Sequence, residues 1–420
     1  MKKKYYITTP IYYPSAKPHM GHAYSSISAD FIARYKRLEG YDVKFVTGTD
    51  EHGQKIQKSA DKRKLSPNVF CNEISKVFLD LTKTLNLSNT DFIRTTEDRH
   101  HKTVQKLWKI LEEKKFIYLS KYSGWYSVSD EAFYTESEII EKDNIKLSVA
   151  SGSAVEWVEE ESYFFKLSQF QNLLIKHYED NPEFIQPSSR RNEVMSFVKG
   201  GLNDLSISRN SFKWGISVPN SKDHIIYVWL DALTNYLTAT NYFDENSSWP
   251  ADVHIIGKDI LRFHAVYWPA FLLAAEIPLP KTIFGHGWIL SGDEKMSKSK
   301  GNILDPIEVV NEFGLDEIRY YLMKEVMYGL DGNINIDNLK NCINSDLANN
   351  IGNLSQRIFV LINKYFSCKV PDPKPLLKDD QKFMDCPVEG LRKSMDSFEI
   401  HNYIREVISY SSKINKFVND

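Results

Sequence analysis

Thr9-Pro10-Ile11-Tyr12-Tyr13-Pro14-Ser15-Ala16-Lys17-Pro18-His19-Met20-Gly21-His22 follows a short apolar run, Tyr5 to Ile7, and leads into a helical pattern from about Met20 to Leu38. The order is strand, turn, helix. Pro18 suits a helix start, where its fixed φ and missing N–H cost nothing. His19 and His22 then lie one turn apart at the helix N-terminus, above Gly21. Unpaired backbone N–H groups and the positive end of the helix dipole make such a terminus an anion site. Two histidines at this spacing are more often plain surface or core residues, so the stretch needs a partner elsewhere.

That partner is Gly285 to Asn302, which contains Lys295-Met296-Ser297-Lys298-Ser299-Lys300. Glycines and polar residues predict a loop. Three lysines in six positions read either as a solvated basic surface or as a lid that neutralises a triphosphate as charge develops. His19-Met20-Gly21-His22 followed by an intact Lys295-Met296-Ser297-Lys298-Ser299 resembles the paired signatures of class I aminoacyl-tRNA synthetases.

Composition sets the frame. The chain has 420 residues, enough for two to four domains, with 42% hydrophobic residues and a formal net charge of −2. Without a global basic field, any RNA contact must rest on local patches. Cys71, Cys342, Cys368 and Cys386 are scattered and form no C-x-x-C pair, so neither a zinc knuckle nor a disulfide framework is implied. No apolar stretch of signal-peptide length follows Met1-Lys2-Lys3-Lys4. The longest apolar run, Ala265 to Ala275, contains Pro269 and is too short to span a bilayer. The expectation is a cytoplasmic protein with no membrane association.

Along the chain, strands and helices alternate through residues 1–117. Val43 to Val46 is a strand that ends in Thr47-Gly48-Thr49-Asp50-Glu51-His52-Gly53. Polar residues at the carboxyl end of a strand are where open α/β sheets bind ligands. Residues 118–222 change texture, rich in Tyr, Trp, Ser and Glu, and read as an inserted α+β domain, with Phe164 to Tyr178 helical. Alternation resumes over 223–290, with strands at Ile225 to Trp229, Val253 to Ile256 and Lys281 to Gly285. Residues 291–336 hold the lysine loop and a short mixed segment, and 337–420 read as helices. The predicted fold is α/β: a Rossmann-like, doubly wound parallel sheet with an inserted α+β domain and a C-terminal α-helical bundle.

Two stripes suggest a pocket. Trp229, Ala232, Leu233 and Tyr236 share one helical face, and Ile260, His264 and Trp268 share another. Aromatic stripes at this spacing are usually core. Here both helices are predicted to start at the carboxyl ends of sheet strands, beside the ligand edge. A pocket of Trp, Tyr, Ile and one His suits an unbranched thioether. Asp50 is placed to hold a substrate ammonium, with helix capping or a bond to His52 as the competing roles.

Pro10-Ile11-Tyr12-Tyr13, Gly48 to Gly53, Tyr227 to Ala232, Gly257-Lys258-Asp259-Ile260, Phe263-His264 and the lysine loop together closely resemble the methionyl-tRNA synthetases of bacterial type. The resemblance runs through the whole chain. It implies a methionine pocket of Ile11, Tyr13, Asp50, Trp229, Ala232, Tyr236, Ile260, His264 and Trp268, with Asp50 on the α-amino group. It implies Gly257 and Asp259 on the ATP ribose, and His19, Gly21 and His22 at the phosphates. Lys295 and Lys298 would move onto the triphosphate. Mg²⁺ would accompany ATP, and the partners would be L-methionine and tRNA(Met), initiator and elongator, bound by a monomer. The inserted domain would guide the acceptor end. Asn350, Asn353 and Arg357 lie on one face of the helix from Asp337, and the resemblance places Asn353 and Arg357 at the anticodon. Such side chains can read unpaired bases, although a solvated polar face reads the same way.

The chain departs from the family in two places. Residues 118–222 contain no cysteine, which implies the zinc-free type with no metal ligands. The chain stops at Asp420 inside a helical pattern, without the Trp that stacks on the anticodon, so the helical domain is expected to be incomplete and anticodon recognition impaired. Among rivals, synthetases for leucine, isoleucine or valine carry a much larger editing insertion, and a cysteine enzyme would want thiolates for zinc. A small-molecule nucleotidyltransferase would not need the helical C-terminal part. A non-catalytic RNA-binding relative should have lost Lys295, Lys298 or the histidines.

Overall fold

The computed structural model describes residues 2–142, 144–244, 247–291, 294–295, 304–372, 375 and 385–419. By contacts the chain falls into two compact units, Met1–Pro18 with Ser25–Gly285, and His19–Tyr24 with His286–Asp420.

The first unit is built on a six-stranded sheet. Its centre is β1, Lys4–Tyr12, flanked by β2, Asp42–Thr49, and by Val253–Gly257, in the order β3 (Asp91–Arg94), β2, β1, Val253–Gly257, Ile283–His286, Ile185–Gln186. β1 runs parallel to β2 and to Val253–Gly257, β2 parallel to β3, and Ile283–His286 parallel to Ile185–Gln186. Strands buried on both faces read as continuous apolar runs, and Phe45, Val46, Ile255, Ile256 and Ile283 are all buried. Helix α1, Met20–Leu38, connects β1 to β2, as the spacing predicted. Asp98–Glu113 turns Val104, Leu107, Trp108 and Leu111 inward at helical spacing.

The structure departs from the sequence reading at three strands and helices. Ile225–Ile226 is not in the central sheet; it pairs antiparallel with Ser208–Arg209. A short β-branched run cannot by itself reveal which partner it will find. Ile185–Gln186, unforeseen, supplies the sheet edge from within 118–222. Phe164 and Phe165 end a strand, Glu156–Phe165, that pairs along its length with Ile117–Ser127, and the helix begins only at Gln171. These two long strands belong to a four-stranded sheet with Leu205–Ser206 and Ala132–Tyr134. One core joins this region to the rest of the unit: Phe165, Leu174, Tyr178 and Val198 belong to the same buried cluster as Trp268 and Phe271.

In the second unit, Ile289–Ser291 pairs antiparallel with Glu294–Lys295 and parallel with Gly332–Ile334. Helices Pro306–Phe313 and Leu315–Glu325 follow, then a continuous helical run through Ile336–Cys342, a π-helical stretch Ile343–Gly352, and Asn353–Phe366. Val388–Asp396 and Ile400–Asn419 complete it.

Candidate active site

β2 ends by delivering Asp50, Glu51 and His52 to the carboxyl edge of the sheet, and each is fastened differently. The Asp50 amide donates to the Tyr12 carbonyl at 2.9 Å. The Glu51 carboxylate is fully buried and takes Arg94 Nε at 2.7 Å and Nη2 at 2.9 Å, Thr96 Oγ1 at 2.6 Å and Thr49 Oγ1 at 2.8 Å. The His52 ring meets Asp231 Oδ2 through Nδ1 at 2.6 Å, and the Tyr13 hydroxyl donates to the His52 carbonyl at 2.8 Å. The His52 backbone N–H also donates to the Asp50 carboxylate, so Asp50 does hold His52, while the helix Gln54–Lys62 starts with no side-chain cap. Asp50 is 7% exposed, and its Oδ1 is buried with no hydrogen-bond partner among the described residues. Burial first, and the Asp231 charge second, push its pKa well above the usual carboxylate range. Such a group lacks a cation.

The predicted pocket stripes lie in the same unit. Val228–Leu233 and Asn235–Thr238 are two short helices, broken at Thr234, instead of the single helix implied by the spacing. The strand before them, Ile225–Ile226, is not in the central sheet, so this stripe does not reach the ligand edge by the route predicted. A neighbour brings it together with the second stripe: Tyr236 Oη lies 2.8 Å from His264 Nε2. Ile260, His264 and Trp268 follow the sheet strand Val253–Gly257 through a short 3-10 turn and a π turn, Phe263–Tyr267. His264 Nδ1 is 3.0 Å from the Ile260 carbonyl. A carbonyl only accepts, so Nδ1 carries the proton and Nε2 accepts from the Tyr236 hydroxyl. Burial lowers the His264 pKa to about 4, and the ring is neutral at physiological pH. Trp268 is fully buried, and Ala232 is buried, while Trp229 is half-buried and stacks on Phe263 at 3.7 Å between centroids and 4° between planes. Ile11 and Tyr13, at the end of β1 and just beyond, are half-buried.

Four residues at this site were given no role in the sequence reading, although Phe263 and Asp231 lie in the stretches that carry the resemblance. Phe263 is the plate beneath Trp229. His254 stacks on Tyr236 at 4.1 Å and bonds Thr8 Oγ1 through Nδ1 at 2.7 Å. Glu131 accepts from the Tyr13 hydroxyl at 3.1 Å, the Lys55 amide at 2.8 Å and the Tyr126 hydroxyl. Asp231 binds His52 and also His100, through Oδ1 to Nε2 at 2.7 Å. Their partners lie 18 to 246 positions away, except for the local Tyr126, so no spacing signal could reveal them.

Gly257 closes its sheet strand half-buried, and Asp259 follows in the exposed 3-10 turn. In the second unit, His19 and His22 stand at the start of α1 with ring centroids 3.8 Å apart. The Gly21 amide donates to His19 Nδ1 at 3.0 Å and the His19 amide to His22 Nδ1 at 3.1 Å. With Nδ1 accepting in both, each neutral ring carries its proton on Nε2. Burial, then the His19 charge, push the His22 pKa well down. A Cβ on Gly21 would lie 2.8 Å from His19 Cε1, so only glycine lets that ring settle there. Lys295 sits in the short strand Glu294–Lys295, with its side chain outside the description, and Lys298 lies outside the described residues.

On the C-terminal helices, Asn350 is buried and committed: its Nδ2 donates to Ser412 Oγ at 2.8 Å, and its Oδ1 accepts from Ser411. It therefore does not share an open face with the other two. Asn353 is half-buried, donating to the Asn349 carbonyl, and Arg357 is exposed, reaching Asn415 Oδ1 at 3.0 Å. Among the described residues no cluster of three or more His, Cys, Asp or Glu could hold a metal ion, and no helix is long and apolar enough to cross a membrane.

Comparison with known proteins bears on this arrangement. The family model described as tRNA synthetases class I (M) matches residues 5–146 and 143–359. The methionine–tRNA ligase of Rickettsia conorii is 51% identical over 432 aligned residues, covering 100% of this chain and 84% of the relative. That of Rhizobium meliloti is 50% identical, covering 98% of this chain and 82% of the relative. The structure of Mycobacterium tuberculosis methionyl-tRNA synthetase in complex with methionyl-adenylate superposes with a TM-score of 0.97 at 46% identity, over 99% of this chain and 84% of that one. Its apo form gives 0.87 at 43% identity, over 100% and 82%. With a parallel sheet that ends in an open carboxylate, a paired-histidine helix start, and this likeness along its full length, the chain belongs to the class I aminoacyl-tRNA synthetases, in the family of the methionine–tRNA ligases.

Proposed function

We propose that this chain activates L-methionine with ATP, giving methionyl-adenylate and pyrophosphate, and then transfers methionine to the terminal adenosine of tRNA(Met). The observation that carries this reading is Asp50: a buried carboxylate whose Oδ1 has no partner among the described residues, in the same unit as Trp229, Tyr236 and His264. The α-ammonium of an amino acid supplies the missing charge. In the remaining lining Tyr236 and His264 satisfy each other, while the Trp229 and Trp268 indole N–H groups are buried without a hydrogen-bond partner among the described residues. A side chain with no strong donor or acceptor fits there, and sulfur packs well against aromatic edges. A charged side chain would be desolvated there without a counter-charge.

In this reading the methionine carboxylate attacks the α-phosphorus in line and pyrophosphate leaves. No side chain need act as nucleophile or base, because positioning and electrostatics suffice for such a step. Ile11, Tyr13, Trp229, Ala232, Tyr236, Ile260, His264 and Trp268 surround methionine, Asp50 holds its ammonium, and Gly257 and Asp259 hold the ribose. His19 and His22, with Gly21 beneath, donate Nε2–H to phosphate oxygens, and Lys295 and Lys298 neutralise the triphosphate. Mg²⁺ enters on the ATP phosphates. The tRNA 2′-OH then attacks the methionyl carbonyl and AMP leaves, with 118–222 guiding the acceptor end and Asn353 and Arg357 meeting the anticodon, for initiator and elongator tRNA alike. The enzyme works as a cytoplasmic monomer, organised as 1–117 and 223–290 for catalysis, 291–336 for the lysine loop and 337–420 for the anticodon.

The test is pyrophosphate exchange into ATP with each of the twenty amino acids offered separately. Exchange with methionine alone is expected. Exchange with another amino acid instead would overturn the pocket reading while keeping the chemistry.

A further inference from the structure

Asp231 is fully buried, far in sequence from its partners, and both of its oxygens are engaged. Oδ2 lies 2.6 Å from His52 Nδ1 and Oδ1 lies 2.7 Å from His100 Nε2. A carboxylate only accepts, so both ring nitrogens carry protons toward it. His100 is in turn 2.9 Å from Thr238 Oγ1, on the next short helix. Three pieces of the unit are thus pinned at one point: the end of β2 through His52, the helix Asp98–Glu113 through His100, and the helix Val228–Leu233 that bears Asp231.

The helix Val228–Leu233 also carries Trp229 and Ala232. Asp231 is two residues beyond Trp229, about 200° round the helix axis, and Ala232 is about 100° further on, so the anchor lies opposite Trp229 and to one side of Ala232 on one short rod. His52 is two residues beyond Asp50. Every neighbour of Asp50 along the chain is secured: its own amide to Tyr12, the Glu51 carboxylate to Arg94, the His52 carbonyl to Tyr13 and the His52 ring to Asp231. One buried atom of this stretch, Asp50 Oδ1, is left open.

We propose that Asp231 is a positioning residue for methionine binding: through His52 and His100 it sets the distance between the Asp50 carboxylate and the Trp229–Ala232 face, and so between the ammonium and thioether ends of the substrate. The proposal rests on the reading of Asp50 as the ammonium partner. A site of this kind must hold its geometry to within about 0.5 Å to be productive.

The charged and titratable groups facing Asp50 are Asp231 from the helix Val228–Leu233, Glu131 from the turn before Ala132–Tyr134, Glu51 and His52 from its own segment, and Tyr13 from the loop after β1. Those facing Asp231 are His52, His100 and His101. Asp231 is the leading charge that opposes ionisation of Asp50. Its neutral replacement therefore loosens the geometry and at the same time eases that ionisation, a combination that a purely structural anchor does not produce.

The experiment is methionine-dependent pyrophosphate exchange by wild-type enzyme and Asp231→Asn, with KM for methionine and for ATP, the pH profile of kcat/KM for methionine, and thermal unfolding. The variant is expected to raise the methionine KM by about tenfold, equivalent to about 1.4 kcal/mol, with the ATP KM within about twofold. The acid limb of its profile is expected to move to lower pH. An unchanged methionine KM overturns the proposal. So does a parallel rise in both KM values with an unmoved acid limb, because Asp231 would then serve the fold alone. If Asp231→Asn yields no soluble protein, His100→Asn, whose amide is one bond shorter than the imidazole Nε2 and so gives up the bond to Asp231, carries the same KM comparison: a rise confined to methionine supports the proposal, and no rise, or a rise in both, overturns it. Failure of the wild-type enzyme to exchange with methionine overturns the methionine reading instead, so the two failures are distinguishable.

Discussion

Asp50→Asn should damage the reaction and stabilise the protein. Asp50 sits 7% exposed with a buried, unpartnered Oδ1, and burial with the Asp231 charge raises its pKa. Two charges about 4 Å apart attract by about 4 kcal/mol at an effective dielectric of about 20. Losing most of that term predicts a fall in kcat/KM for methionine of about 10²–10³-fold, at about 1.4 kcal/mol per tenfold. In the free protein the same charge is a liability. An acid whose folded pKa lies above its unfolded value makes folding weaker as pH rises, because the folded state then binds the extra proton. The penalty is absent below the ordinary carboxylate range, grows as pH climbs, and is complete above the raised pKa. Asparagine removes it, so at neutral pH the variant should melt higher by a few degrees, taking a penalty of about 1–3 kcal/mol and roughly 2 °C for each kcal/mol. The gain should vanish near pH 3–4, where wild-type Asp50 is protonated in both states. Pyrophosphate exchange and calorimetry at two pH values read both effects. A kcat/KM within about threefold of wild type, or a lower melting temperature at neutral pH, would refute the reasoning: the first removes Asp50 from the ammonium, the second means that its oxygen is already paired.

Other outcomes are equally open to measurement. Tyr236→Phe leaves the buried Nε2 of His264 without its donor, and should cost about 1–3 kcal/mol of stability and raise the methionine KM; a methionine KM unchanged in exchange assays would remove this pair from the pocket. Lys298→Ala should slow single-turnover adenylation strongly with little change in methionine affinity by calorimetric titration, and unchanged adenylation would sink the lid role. Glu51→Ala strips the partner from the Arg94 guanidinium and from the Thr49 and Thr96 hydroxyls at a fully buried site. It should destabilise by about 3–5 kcal/mol, read as a lower unfolding midpoint in urea. Arg357→Ala should leave exchange intact and reduce tRNA charging, and equal charging would remove Arg357 from the RNA contact.

Much of the architecture could be read along the chain because it depends on local pattern. Helix α1 begins and ends where apolar spacing and Pro18 placed it. β2 was legible from Val43 to Val46, although pairing extends it to Asp42–Thr49. The His19–His22 pair and the two aromatic stripes were visible because a helix repeats every few residues. Where partners decide, the pattern failed. Ile225–Ile226 and Ile185–Gln186 are both two-residue apolar strands, and nothing local says that the second completes the central sheet while the first forms a separate ribbon. Asn350, Asn353 and Arg357 share a helical face on paper, yet Asn350 is drawn off by Ser411 and Ser412.

The residue types, their order and their spacing determined the fold class, the family and the set of groups from which a site could be made, since backbone propensity and amphipathic period are properties of neighbouring residues. Tertiary structure alone decided what those groups are chemically. His264 is neutral, with its proton on Nδ1, because Ile260 and Tyr236 face its two nitrogens. Asp231 is held down at about 2 because His52 and His100 outweigh the upward push of its burial. Asp50, a short way along the same chain from His52, is pushed up by its burial and then by the Asp231 charge. Burial and pairing across separations from 4 to 179 residues set these states, and electrostatic free energy depends on distance through space, which sequence separation does not encode.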